Sequence, residues 1–306
     1  MNVRQVVPKD AIPSVDDPEF RDSHPDHEDE VVGVEIDGEA RAYPIRYLNY
    51  HEIVNDRVGG TPIAATWCPL CGSVVVYDRR PAVGSLPEGV DDPGTLEFGV
   101  SGKLADDDLV MYDRETESEW KQSLGEAIAG RLEGASLEIL PATTSSWGRF
   151  SDDHPEAVVM AEPGGKSEAS GEGADPEPIE YDDDPYRDYF EAEGFGLGAH
   201  RGEGATRDWD REDLAAKERV LGVTVGDDAL AFPQSRVEDA GGVATAIVGG
   251  EDVVVVAEDG ELAAYSDPGV DWESADTDSD SLERLPAQWL FAFAWRDDHG
   301  DSFWQA

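Results

Sequence analysis

A two-strand pattern occurs twice in this chain, and that repetition constrains the fold more than any other feature. Val32-Gly33-Val34-Glu35-Ile36 followed by Ala40-Arg41-Ala42-Tyr43-Pro44 reappears as Leu221-Gly222-Val223-Thr224-Val225 followed by Ala229-Leu230-Ala231-Phe232-Pro233. In the first copy apolar residues alternate with polar ones around an Asp-Gly turn, the signature of a β-hairpin. Val58-Gly59-Gly60 has a counterpart in Val248-Gly249-Gly250. Ser136 to Ala142 parallels Ser281 to Ala287, and Asp152-Asp153-His154 parallels Asp297-Asp298-His299. Two copies are too few for a solenoid. They predict a duplicated module with a longer first copy and a shorter second one.

The remaining apolar runs are short and bounded by Gly, Pro or Asp: TPIAATW, SVVVYD, LEFGV, LVMYD, LEIL, ATAIV, DVVVVA and LAAYS. Helical patterns are few and brief. The expected fold is mainly β, with two tandem related β-rich halves, barrel- or sandwich-like, and a few short helices. The expected boundaries are 10–160 for the first repeat and 186–306 for the second. Between them, 161–185 is rich in Gly, Pro, Ser and acid, which predicts an acidic linker or long loop. Asp271 to Ser281 reads as a surface loop.

Charge excludes several functions. Asp and Glu number 69 against 23 Lys and Arg, for a net charge of −46 over 306 residues. Such a polyanion repels phosphate, so no nucleic acid is expected as a partner. Acid spread along the chain, with 18 Arg and only five Lys, reads as adaptation to concentrated salt, where screening is nearly complete. On that basis the acidic runs Asp106-Asp107-Asp108 and Asp182-Asp183-Asp184 are expected to be solvated surface. No apolar run is long enough to span a bilayer, so no membrane insertion is expected. The first twenty residues show no apolar signal region, which makes a cytoplasmic location the expectation.

The sharpest local motif is Thr66-Trp67-Cys68-Pro69-Leu70-Cys71-Gly72-Ser73. A pair of cysteines this close staples almost nothing as a disulfide. It fits either of two chemistries. In a redox motif the first thiol starts a helix and has a lowered pKa. In a metal knuckle both thiolates meet one cation at a turn between strands. The β-branched run Val74-Val75-Val76 favours the knuckle. With no second cysteine pair, a closed four-cysteine site within this chain is excluded. His51 is the candidate third ligand, since a hairpin turning at Gly59-Gly60 would return it to the cysteines. Met111 is a candidate soft fourth donor. A Cys₂HisMet set suits copper; Cys₂His with water suits zinc or iron. The expected cofactor is therefore one copper, zinc or iron ion. Neither a CxxC nor a matching histidine stands in the second copy, which points to a site grafted on the first.

Lys103, Tyr112, Asp113, Arg114 and Trp120 form a second constellation, a candidate substrate pocket. Ser101-Gly102-Lys103 lacks the spacing of a phosphate-binding loop, so no nucleotide cofactor is expected. The partner would be a small molecule or a metal donor.

The combined motif YHEIVND…TWCPLCGS…MYDR, with VVGVEIDGEARAYP, FGVSGKL and LPA…W…HPEAVV, resembles the bacterial and archaeal family called domain of unknown function 3179. The resemblance runs from about Asp10 to the end, and the composition suggests a halophilic archaeal-type member. Ser118-Glu119-Trp120 departs from the family's usual Ser-Leu-Trp. The resemblance implies that His51, Cys68 and Cys71 act as a unit, and it supplies no reaction. Family members often look exported. Three activities remain open from the sequence: soft-metal binding at a His/CxxC site, thiol–disulfide exchange through the WCxxC pair, or a non-catalytic binding or scaffold module. Whether the protein is an enzyme is left open with them.

Overall fold

Asp37 and Gly38 both take positive φ, the geometry a two-residue turn needs to join right-twisted strands. They close a hairpin in which Glu30–Ile36 pairs antiparallel with Glu39–Pro44. Pro44 then caps a short helix, Ile45–His51, whose buried side carries Tyr47, Leu48 and Tyr50. The helix stops at Glu52, a non-glycine residue at φ +58. From there the chain runs as an antiparallel meander through Ile53–Val58, Thr61–Cys68 and Ser73–Pro81.

The computed structural model describes residues 1–24, 26–171, 176–202, 207–258, 260–267, 269 and 282–305. The chain forms two compact units, Met1–Arg207 and Asp208–Ala306. It is mainly β, as its alternating patterns predict, and its helices are short: Ala292–His299, at eight residues, is the longest among the described residues. None of them is long and apolar enough to cross a membrane.

In the first unit the hairpin belongs to a sheet ordered Thr143–Ser146, Glu30–Ile36, Glu39–Pro44, Val158–Met160, Phe20–Arg21. Its core is Val31, Ala42, Trp147, Phe150 and Val159. Gly33 is glycine for a steric reason: a Cβ there would lie 2.3 Å from the Phe150 ring. A second sheet runs Val3–Gln5, Phe98–Ala105, Asp108–Asp113, Glu119–Lys121, Glu126–Ala129. The meander, with Val15–Asp16 at the edge beside Ile53–Val58, supplies the third.

The segment 161–185 falls within the first unit. Lys166–Ser167 pairs with Glu177–Pro178. Tyrosines hold the chain down beyond that point. Tyr181 is buried against Tyr47 and Tyr50, and Tyr186 and Tyr189 are buried ahead of the short helix Gly196–His200. Tyr50 Oη donates to the Asp183 carbonyl at 2.7 Å, and Arg46 Nη2 to the Tyr181 carbonyl at 2.8 Å.

The second unit, taken by itself, has a hairpin of Arg219–Val225 with Asp228–Pro233. Pro233 caps the helix Gln234–Asp239, and a meander of Val243–Val248, Glu251–Glu258 and Glu261–Ser266 follows. Gln288–Phe291 returns to pair with Arg219–Val225, setting Gln288 opposite Gly222. In the first unit Thr143 stands opposite Gly33. A Cβ on Gly222 would lie 2.2 Å from the Trp295 ring. Phe150 touches His154 as Trp295 touches His299, with ring centroids 4.6 and 4.0 Å apart. Residues 270–281, where a surface loop is expected, lie outside the described residues.

Candidate functional site around the cysteine turn

Cys68 is the last residue of Thr61–Cys68, and Ser73, directly opposite it, begins the next strand. The intervening turn is held by Cys71 N–H to the Cys68 carbonyl (3.2 Å) and Gly72 N–H to the Pro69 carbonyl (3.3 Å). Gly72 closes it at φ +56, which glycine adopts without a Cβ penalty. The two cysteines thus sit on a strand–turn–strand knuckle. Both are reduced and buried.

The knuckle is braced by a buried amide. Gln122 Nε2 donates to Thr66 Oγ1 (2.9 Å) and to the Ser73 carbonyl (3.3 Å), while its Oε1 accepts from Ser73 Oγ (2.8 Å). On the cysteine side, Trp67 Nε1 donates to Asn49 Oδ1 at 2.8 Å.

Over the thiols lies the turn between Phe98–Ala105 and Asp108–Asp113. Asp106 and Asp107 occupy it at φ +53 and +72, a conformation Asp tolerates better than most residues. This corrects the expectation of a solvated acidic run. Asp107 is 6% and Asp108 2% exposed. The Asp107 carboxylate pairs with Arg4 and, at 3.6 Å, with Arg207. Its carbonyl faces Cys71 Sγ at 3.5 Å. Asp108 Oδ2 accepts from Ser123 N–H (2.9 Å) and Ser123 Oγ (2.7 Å). Ligand atoms of Cys68, Cys71 and Asp108 all lie within 4.8 Å of one another.

Burial pushes the Cys68 thiol up, with Asp108 and Glu52 adding to it. Burial pushes Cys71 well up, and the neighbouring Cys68 and Asp108 add to it against an opposing pull from Lys121. Glu52 is lifted to about 8, chiefly by burial and then by the Glu168 and Asp108 carboxylates.

His51 is not one of these three converging residues, and both of its ring nitrogens are engaged in hydrogen bonds. Nδ1 meets the Pro13 carbonyl at 2.8 Å and Nε2 meets Tyr181 Oη at 2.7 Å. A carbonyl only accepts, so Nδ1 carries the proton and Nε2 accepts from tyrosine. Burial lowers the His51 pKa, in keeping with this neutral ring. Met111 is fully buried, opposite Val100 and Trp120.

Of the second constellation, Lys103 lines a cavity of about 100 Å³ that Cys68 also lines. Its ammonium pairs with Glu119. Tyr112, Asp113, Arg114 and Trp120 are engaged elsewhere. Tyr112 Oη meets both Asp10 oxygens at 2.9 Å. Asp113 accepts from Trp120 Nε1 at 2.9 Å, and Arg114 donates to Asp16 (2.7 Å) and Ser14 (2.8 Å).

Sequence reasoning missed Asp108, Glu52, Glu168, Tyr186 and His200, all at or beside the cysteine turn. The only local signal was at Asp108, which directly precedes the apolar run Leu109-Val110-Met111 at a two-residue strand connection.

Fold and site together define a mainly β protein with a buried Cys-x-x-Cys turn capped by a carboxylate. The chain belongs to the protein family of unknown function DUF3179, whose model matches residues 9–302. No curated protein and no solved structure matches it.

Proposed function

We propose that the first unit is a mononuclear metal-binding module whose ion is held by Cys68 Sγ, Cys71 Sγ and an Asp108 carboxylate oxygen. The observation that carries this is the convergence of these three buried donors within 4.8 Å of one another. Tetrahedral bonds of about 2.0–2.3 Å set donors roughly 3.3–3.8 Å apart, so a contraction of about 1 Å completes the site. Two thiolates with one carboxylate suit zinc or ferrous iron better than cuprous copper, which prefers an all-soft set. The donors bring three negative charges to a dication, and Lys121 lies close enough to offset the remainder. Both nitrogens of His51 are already bonded, so it orients Tyr181 and does not contribute a donor. Three protein donors leave one position for water or a small ligand.

Cobalt titration tests the reading. One equivalent of Co²⁺ is expected to produce a thiolate-to-metal charge-transfer band that Cys68→Ser abolishes and Asp108→Asn weakens. Titration without a thiolate band counts against it.

Thiol–disulfide exchange is the second reading, favoured by the direct contact of the two thiols. Their raised pKa values weigh against it, because the attacking species is the thiolate. Ready alkylation of Cys68 without a chelator would favour exchange.

The matched strand registers of the two units support a further part of the proposal. The second unit is a copy of the same module that lacks the cysteine turn and serves as scaffold.

A further inference from the structure

The cavity of about 100 Å³ against the cysteine turn is built wholly from the first unit. Val7, Ile12, Leu70 and Leu109 make its apolar walls, while Glu52, Glu168, Tyr186 and His200 supply polar groups. Glu52 is 8% exposed, yet among the described residues its carboxyl makes no hydrogen bond and no ion pair. The hydroxyl of Tyr186, a residue 7% exposed, has no hydrogen-bond partner among them either. Buried polar groups are almost always partnered, so two at one cavity mark a place built for a ligand.

The sign of that ligand follows from the charges. Glu52 and Glu168 both line the cavity, and the Asp108 carboxylate is near enough to act on Glu52. Of the basic lining residues, Lys103 is paired with Glu119, and Arg201 is exposed and near enough to act on Glu168 and His200, which leaves Glu52 as the carboxyl with no basic group acting on it. An adjoining depression of about 390 Å³ shares Glu168, Tyr186 and His200 and adds Glu180, Asp183 and Asp184, an acidic approach. The rings of Tyr186 and His200 stack at 4.9 Å, offering a π face to a cation. Apolar walls disfavour a hydrated inorganic ion. An apolar cavity of about 150 Å³ takes benzene's six carbons, so this one takes about four non-hydrogen atoms.

We propose that this cavity binds a small organic cation, a primary ammonium or guanidinium with a short apolar body, its charge on Glu52 and Glu168. The assignment needs no ion on the cysteines and stands apart from the metal reading. The probes are n-propylammonium and guanidinium, with propan-1-ol and propionate as neutral and anionic counterparts. They are titrated by calorimetry or ligand-observed NMR into the protein as purified, at one fixed potassium chloride concentration and above about pH 8, where Glu52 is ionised and the amine still protonated. Saturable propylammonium binding, at least tenfold tighter than propan-1-ol and with no propionate binding, is the expected result. Glu52→Gln should weaken it at least tenfold, and Glu168→Gln should weaken it less, with far-UV circular dichroism unchanged. If Glu52→Gln loses the fold, Glu168→Gln and Tyr186→Phe carry the test. Absence of amine binding, equal binding of propan-1-ol, or amine binding indifferent to the variants that fold would overturn the assignment.

Discussion

Replacing Glu52 by glutamine should change how stability depends on pH. Glu52 sits at the end of Ile45–His51 with its carboxyl against the cysteine site, and its pKa is lifted from 4.5 to about 8 by burial and by Glu168 and Asp108. A carboxyl with a raised folded pKa keeps its proton longer in the folded state, so the unfolded chain ionises first as pH rises. Below about pH 4.5 the group costs nothing. Between about pH 4.5 and 8 stability falls with pH, and above about 8 the loss is complete. The slope within that window approaches about 1.4 kcal/mol per pH unit, so the accumulated loss at pH 7 is roughly 3 kcal/mol. Glutamine keeps the shape and removes the titration. Denaturant unfolding of both proteins at pH 5, 6, 7 and 8, at constant potassium chloride, isolates this group, because other titrations cancel in the difference. The variant should gain on the wild type by under about 1 kcal/mol at pH 5 and by several at pH 8. Parallel curves at all four pH values would refute the argument that this carboxyl is buried without a counter-charge.

Three further results follow from the geometry. Both thiols are buried with raised pKa values, so an aromatic disulfide reagent at pH 7 should titrate them slowly in the folded protein and rapidly after denaturation. Fast reaction of the folded protein would count against the buried site. Gly33→Ala and Gly222→Ala would each drive a Cβ into an aromatic ring, at 2.3 and 2.2 Å, and each should cost about 1–3 kcal/mol in thermal or denaturant unfolding. A neutral outcome at either would contradict the packing, and similar costs would support the duplicated module. Gln122→Ala would leave the Ser73 hydroxyl without its acceptor and take a donor from Thr66 Oγ1, which keeps its bond to the Val75 carbonyl, so it should lose roughly 2 kcal/mol and speed thiol reaction in the same reagent assay.

What the sequence shows clearly is local. Alternating runs around Asp37-Gly38 and the β-branched run after Gly72 foretell the hairpin and the strand–turn–strand knuckle, because turn residues and neighbouring strands act over a few positions. The site needs contacts that no local pattern carries. His51 is bonded to Pro13 and Tyr181, 38 and 130 residues away along the chain. Glu168 reaches the cavity from the stretch 161–185, whose composition resembles solvated loop, and Tyr186 and His200 from beyond it, in the range 186–306 that the sequence pattern groups with the second repeat. Asp107 and Asp108 are hidden by the acidic background: with 69 acidic residues, a buried carboxylate looks like any surface one. Only its place at a tight turn just before an apolar strand distinguishes it.

Metal stoichiometry tests the central claim most directly. The protein, purified under reducing, high-salt conditions and loaded with zinc or ferrous iron, is passed over a desalting column and analysed for metal beside Cys68→Ser and Asp108→Asn. The account predicts about one ion per chain in the wild type. It predicts none retained by Cys68→Ser and clearly less than one by Asp108→Asn, with both variants folded. A wild type that retains no metal, or an Asp108→Asn protein that retains as much as the wild type, would contradict it.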